Sequence, residues 1–248
     1  MKLTVFLCIL AILKGKQRDW RQPVPADEEE ADMLKLWIVG ASGQIGSAIN
    51  EVLDPLEMEV FNTDKEELDI TDTDEVLNFG VINRPDVIIN CAAVTDTDFC
   101  EKEPELAYRV NALGARNLSI VARKTGAKMV QISTDDVFDG IRHTPYTEFD
   151  DTNPKTVYGR SKRAGENYVK EFTHKHFVIR SNWVYGKVGQ NFVNQVLEAA
   201  EKGNALSVAA DQFGSPTSAK DLARMILYLI NTNEYGTYHV TCSGVCNR

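Results

Sequence analysis

The hydrophobic pattern of this chain changes period repeatedly. From residue 33 onward, short runs that are apolar on both sides alternate with longer stretches whose apolar positions recur at helical spacing. The runs at 33–40 (MLKLWIVG), 58–62 (MEVFN), 86–93 (DVIINCAA), 127–134 (AKMVQIST), 176–181 (HFVIRS) and 236–241 (GTYHVT) predict strands. Between them lie predicted helices. One runs to residue 53, one spans 72–82 with Asp72 or Thr73 as its cap, and one is opened by Pro104 and runs to about 124. Another surrounds Tyr158; 191–203 is closed by Gly203, and 218–230 carries Ser218 and Asp221 in capping-box spacing. Strands apolar on both faces belong in parallel sheets covered by helices. The alternation therefore predicts an α/β fold: a Rossmann-type, doubly wound parallel sheet. Ligands of such sheets bind beyond the carboxyl ends of the strands, so glycine-rich and polar positions just after strands are the candidates.

Residues 1–32 break the pattern. An apolar run at 3–13 is shorter than the roughly 20 residues a bilayer span needs. Lys14, Lys16, Arg18 and Arg21 follow it, and positive charge there opposes translocation. No small-x-small cleavage site follows, and the next segment, PVPADEEEAD, is a proline- and acid-rich linker. An upstream extension is preferred over a weak membrane anchor or an uncleaved signal. The expected division is 1–32 as extension and linker, 33–180 as a dinucleotide-binding domain, and 181–248 as a small substrate lobe plus late Rossmann elements.

Composition narrows the partners. Hydrophobic residues make up 43% and charged residues 25%, as in ordinary globular proteins. The net charge of −9 and the lack of a basic run after the N-terminal segment argue against nucleic acid. An acidic protein still binds nucleotides through backbone N–H groups. The five cysteines are odd in number and sparse, which argues against a disulfide framework and fits a reduced, cytoplasmic setting. Cys242 and Cys246 lack a second pair of ligands, with only His239 near in sequence, so no metal is assigned.

The strand exits carry the chemistry. After the first strand, GASGQIG places Gly40, Gly43 and Gly46 where a turn opens a helix, the context in which backbone approaches a pyrophosphate. Asp64 stands 18 residues past Gly46, at the spacing of a carboxylate that takes the ribose hydroxyls of NAD. Its charge would repel a 2′-phosphate, which Lys65 softens, so NADH is preferred over NADPH. Asp69 and Ile70 follow, where an adenine could be met. Ala92 and Ala93 are small, as a cofactor crossing the strand tops requires. Ser133 or Thr134 ends the fourth strand with a hydroxyl able to stabilise a developing alkoxide. Trp183 follows the fifth strand and reads either as a stacking residue or as core.

Tyr158 and Lys162 lie one helical turn apart on one face. An ammonium group beside the phenol is expected to lower its pKa from about 10 and make it a proton donor near neutral pH. A solvated helix face without chemistry is the competing reading, and the clustering of ligand-like residues at the strand exits weighs against it.

The glycine turn, the strand-end Ser/Thr and Tyr-x-x-x-Lys together resemble the extended branch of the short-chain dehydrogenase/reductase superfamily. The strings GQIG, LDIT, NCAA, QISTDDVFDG, YGRSK, AGE, WVYG, DQFGSPTSAKDLA and GTYH resemble its dTDP-4-dehydrorhamnose reductase family. The resemblance covers residue 33 to the C-terminus. It implies that Tyr158 protonates the sugar oxygen, that Lys162 holds the nicotinamide ribose, and that Thr134 polarises the C4 carbonyl. It places Gly43, Gln44 and Ile45 at the pyrophosphate, Asp64, Asp69 and Ile70 at the adenosine, and Ala92, Ala93 and Val94 along the cofactor. It gives Asp135 and Trp183 to the sugar nucleotide. The implied reaction is NAD(P)H-dependent reduction of a dTDP-4-keto sugar to dTDP-L-rhamnose, with a homodimer left open. A nucleotide-sugar epimerase or dehydratase of the same branch, and a non-catalytic subunit like the regulatory subunit of methionine adenosyltransferase, are the alternatives. The chain departs from the family pattern at Val94, Asp96, Thr97, Phe99 and Asp136. The family also continues past GVCNR with an aromatic-containing helix, so the substrate lobe is expected to be C-terminally shortened.

Overall fold

The computed structural model describes residues 33–247. Compactness divides the chain into Met1–Asp32 and Met33–Arg248. The apolar run at 3–13 and the acidic linker lie outside the described residues.

Strands β1 (Leu34–Val39), β2 (Met58–Thr63), β3 (Val87–Asn90), β4 (Lys128–Thr134) and β5 (His176–Ser181) alternate with helices, as the hydrophobic pattern predicts. With the late strand β9 (Gly236–His239) they form a six-stranded sheet in the order β2-β1-β3-β4-β5-β9. Every pairing in it is parallel. The chain winds from β1 outward to β2, then crosses back to β3 on the other side of β1. That reversal opens a crevice above the carboxyl ends of β1 and β3.

Side chains alternate across each strand, and the two faces are covered by different helices. Leu36, Ile38, Val87, Ile89, Val130, Phe177 and Ile179 face helices α1 (Gln44–Val52) and α8 (Ala219–Ile230). Trp37, Val39, Ile88, Met129 and Val178 face the other way. There they meet α2 (Thr73–Asn83), α5 (Ala115–Thr125) and α6 (Val157–Phe172). Helix starts follow the sequence signals. Asp72 caps α2 by accepting from the N–H groups of Asp74 and Glu75, and Ser218 caps α8 by accepting from Asp221.

Two stretches differ from the pattern. After β3 comes a short helix α3 (Thr97–Lys102), which the sequence reading leaves as loop. The helix opened by Pro104 is not continuous: α4 (Pro104–Tyr108) passes into a π-helical segment, Arg109–Gly114, before α5. Such wide turns concentrate at functional sites.

Past β5 the chain leaves the sheet. β6 (Val184–Tyr185) pairs with β8 (Thr217–Ser218), and β7 (Phe213–Gly214) pairs with β10 (Cys246–Asn247). Helix α7 (Phe192–Glu201) lies between β6 and β7 in sequence. Then α8 and β9 return to the main layers. Among the described residues, no helix is long and apolar enough to cross a membrane.

Candidate active site

The glycine turn between β1 and α1 is built for close approach. Gly40 has φ +75°, and a Cβ there would lie 2.7 Å from the backbone N of Ala92. The exits of β1 and β3 therefore touch backbone to backbone, which only glycine permits. Gly46 is equally constrained, since a Cβ would collide with the carbonyl of Gly40 and the backbone of Ala41. Helices α2, α6, α7 and α8 begin with capping side chains, whereas α1 begins at Gly43 without one. Its first N–H groups point from an exposed glycine turn, and they suit an anion such as a pyrophosphate.

Asp64, at the β2 exit, accepts from the Ser42 N–H at 2.9 Å through one oxygen and 3.2 Å through the other. It is thereby anchored on the turn, with lone pairs left over for a ribose. Asp69 accepts from the Thr71 N–H at 2.8 Å, and that bond holds its carboxyl below the usual range. Ile70 is set apart from this group. Its side chain is buried in the core against Gly114, and its carbonyl accepts from Asn117 Nδ2 at 3.0 Å. Ala92, Ala93 and Val94 are half-buried along the β3 exit.

Residues of β4, the turn after it and α6 form the reacting end. The Thr134 hydroxyl donates to Asp135 at 3.2 Å and accepts from the Asp136 N–H at 3.2 Å. The Tyr158 side chain lies near enough for this hydroxyl to influence it. Thus the structure brings together the two hydroxyls that the sequence singles out. Tyr158 packs on the small cluster of Cys100, Ala107 and Val157, with Val94 beside it.

The electrostatics differ from the sequence expectation. Burial raises the Tyr158 pKa well above its ordinary value, the Asp136 carboxylate raises it further, and the Thr134 hydroxyl opposes both. Lys162 is not among the main influences on the phenol. Its own ammonium, almost wholly buried, is pushed down to about 8 by desolvation, against the pull of Cys91 and Glu166. Burial pushes the Cys91 thiol up to about 12, with Lys162 opposing and Asp64 reinforcing. Lys162 is therefore near Cys91 at the β3 exit, while Tyr158 is near Thr134. Asp135 keeps an exposed surface, but the atoms crowded around its carboxyl and the charge of Asp136 push its pKa up to about 6, and Asn182 Nδ2 donates to it at 3.2 Å. Trp183 is half-buried with φ +43°, a strained value for a bulky residue, and its ring lies over the backbone of Gly214.

Several supporting residues escape sequence reasoning. Asn111, in the π-helical segment, accepts from the Val94 N–H at 2.8 Å and donates to Val94 O at 3.0 Å and to Ser161 Oγ at 2.9 Å. It ties the β3 exit to the helix of Tyr158. Glu166, fully buried one turn past Lys162, takes a bidentate pair from Arg180 at 2.9 and 2.8 Å and a bond from Ser133 at 2.6 Å. It joins α6 to the strands that flank the cleft. Neither has a signal of its own in the sequence; the AGE string contains Glu166 without showing that it is buried.

The family described as "RmlD substrate binding domain" matches residues 34–248. A spore coat polysaccharide biosynthesis protein of Bacillus subtilis is 41% identical over 215 residues, covering 87% of this chain and 76% of that protein. A dTDP-4-dehydrorhamnose reductase of Aggregatibacter actinomycetemcomitans is 38% identical over 216 residues, covering 84% and 74%. Among solved structures, the dTDP-4-dehydrorhamnose reductase of Bacillus anthracis in complex with NADP is 46% identical with TM-score 0.85, covering 87% of this chain and 76% of that one.

Proposed function

Since the chain belongs to the RmlD substrate binding domain family, we infer that it reduces the 4-keto group of dTDP-4-dehydro-L-rhamnose to dTDP-L-rhamnose with a nicotinamide dinucleotide as electron donor. The observation that carries this reading to named residues is the hydroxyl pair Thr134–Tyr158, with Lys162 buried on the same helix face near Cys91 at the β3 exit.

The bound dinucleotide would supply hydride to C4 of the sugar. The protein supplies the rest. The α1 N-terminus and Gly40, Gly43, Ile45 and Gly46 take the pyrophosphate, and Asp64 and Asp69 take the adenosine side. Tyr158, and Thr134 once its hydroxyl turns from Asp135, direct O–H groups at the ketone oxygen and stabilise the charge it gains. Tyr158 then gives its proton to that oxygen. The raised pKa of Tyr158 suits this direction, because the phenol is fully protonated at neutral pH. Lys162 contributes a positive charge at the cofactor side, present below about pH 8. Asp135 and Trp183 line the sugar-nucleotide side.

NADH is proposed as the preferred donor. What supports it is Asp64, whose carboxylate is fixed on the Ser42 N–H where a 2′-phosphate would meet like charge. Asp64→Asn should move the ratio of kcat/KM values toward NADPH by about ten-fold, a change of ~1.4 kcal/mol. An unchanged ratio removes Asp64 as the selector.

The activity is tested by following NADH and NADPH oxidation at an absorbance wavelength specific to the reduced cofactor, with dTDP-4-dehydro-L-rhamnose present. Wild type should consume cofactor stoichiometrically, and Tyr158→Phe should lower kcat by about 10²–10⁴-fold, the scale of general acid catalysis. Binding of cofactor without net oxidation by the wild type would overturn the reading.

A further inference from the structure

A pair of side-chain amides joins the glycine turn to the segment after β5. Gln44 is the first residue of α1, next to Gly43. Its Nε2 donates to Val184 O at 2.8 Å, and its Oε1 accepts from Asn191 Nδ2 at 2.8 Å. Asn191 is buried, with 8% of its surface exposed. Its Nδ2 also donates to Gly186 O at 3.0 Å, and its Oδ1 accepts from the Asn194 N–H at 3.0 Å, which caps α7. Both donors and both acceptors of this amide pair are thus engaged. Gly186 lies beside it, where a Cβ would be in ordinary contact with Gln44 Cγ at 3.5 Å.

The bridge ends one residue from Trp183. Val184 is held by Gln44, Trp183 O accepts from the Thr217 N–H at 3.2 Å, and Asn182 reaches back to Asp135. Gln44 is thus joined through Val184 to the residues that follow β5. An apolar contact would keep the two parts close, whereas directional amide bonds also fix their orientation.

We propose that Asn191 is a positioning residue which, through Gln44, couples the dinucleotide turn to Asn182 and Trp183, so that the two nucleotide ligands bind with positive cooperativity. This rests on the reductase reading for the identity of the second ligand. A merely structural role is also available to Asn191, as the cap of α7. Asn191→Ser separates the two, because serine caps a helix well but is too short to reach Gln44.

The test uses the full chain. Binding of dTDP is measured by calorimetry with and without saturating NAD or NADP, and amide hydrogen exchange is followed over residues 182–191. In wild type the dinucleotide should tighten dTDP binding by about five-fold or more, the lower end of ordinary site coupling. It should also slow exchange over 182–191. In Asn191→Ser both effects should largely disappear, while dinucleotide affinity measured alone changes by less than about two-fold. Equal coupling in wild type and variant, or exchange over 182–191 indifferent to the dinucleotide in wild type, overturns the proposal. Wild-type protein that binds no dTDP overturns the reductase reading instead, and the exchange experiment still decides whether turn and segment are linked. Should the serine variant fail to fold, Asn191→Asp keeps the cap and the size but removes the donors to Gln44 and Gly186, and the same outcomes apply.

Discussion

Tyr158 is kept protonated by its surroundings rather than poised to ionise. Burial is the largest influence, and Asp136 adds to it from the turn whose carbonyl presses against Gly159. Two groups of the site titrate nearer neutrality, Asp135 raised to about 6 and Lys162 lowered to about 8 by desolvation. The sign of the effect follows directly. The ammonium is charged below that value, so the reduction rate should be level through neutral pH and fall as pH rises through about 8. Lys162→Arg, which stays charged, should move this alkaline limb upward, a shift read from kcat measured against pH. An alkaline limb at the same pH in both proteins would assign it to another group. Asp136→Asn should act on the reverse reaction, which needs the phenolate as base: with one negative neighbour fewer, that rate should reach its plateau at lower pH. No change in the reverse profile would mean that Asp136 does not act on Tyr158.

At the level of elements, α6 is held to β4 and β5 by one buried carboxylate. Burial pushes Glu166 up, but the Arg180 pair and the Ser133 hydrogen bond outweigh it and hold the carboxyl below its usual value. Its stabilising contribution is therefore present above the unfolded-state pKa and is lost as pH falls through the lower, folded one. Glu166→Gln leaves Arg180 buried and without its counter-charge, and should destabilise the fold by about 3–5 kcal/mol in urea unfolding at neutral pH. A loss below about 1 kcal/mol would place the pair in the class of exposed ion pairs. The sequence shows none of this. Strands are legible because their apolar residues run along both faces, and helix starts because Asp72 and Ser218 announce them. Glu166 sits among Arg163, Asn167 and Lys170, in a string that reads as a solvated face, and its burial depends on the partner strand supplying Arg180. The π-helical segment is hidden for a related reason: it shifts the register of Asn111 inside a run whose helical pattern stays unbroken. The Thr134–Tyr158 pair is legible because Thr134 ends β4 and Tyr158 opens the next long helix, whereas Gln44 and Asn191 lie 147 residues apart and meet only once the sheet is wound.

For the molecule as a whole, the described residues account for a closed core. Both faces of the sheet are covered from within 33–247: α1 and α8 close one, α2, α5 and α6 the other, and Trp37 and Phe177 are fully buried between them. Every residue assigned a part in the reaction stands on these elements or on the turns between them. A chain that begins at Met33 should therefore fold cooperatively. Its melting temperature should lie within about 2–4 °C of the full chain, which for a protein of this size corresponds to ~1 kcal/mol. Its kcat/KM should match as well, since the glycine turn and the Thr134–Tyr158 pair are built from elements within 33–247. Calorimetric melting and cofactor oxidation, run side by side on the two proteins, check both statements. Loss of a cooperative transition in the shortened chain would mean that residues 1–32 contribute to the fold. A retained transition with lowered activity would place their contribution at the cleft.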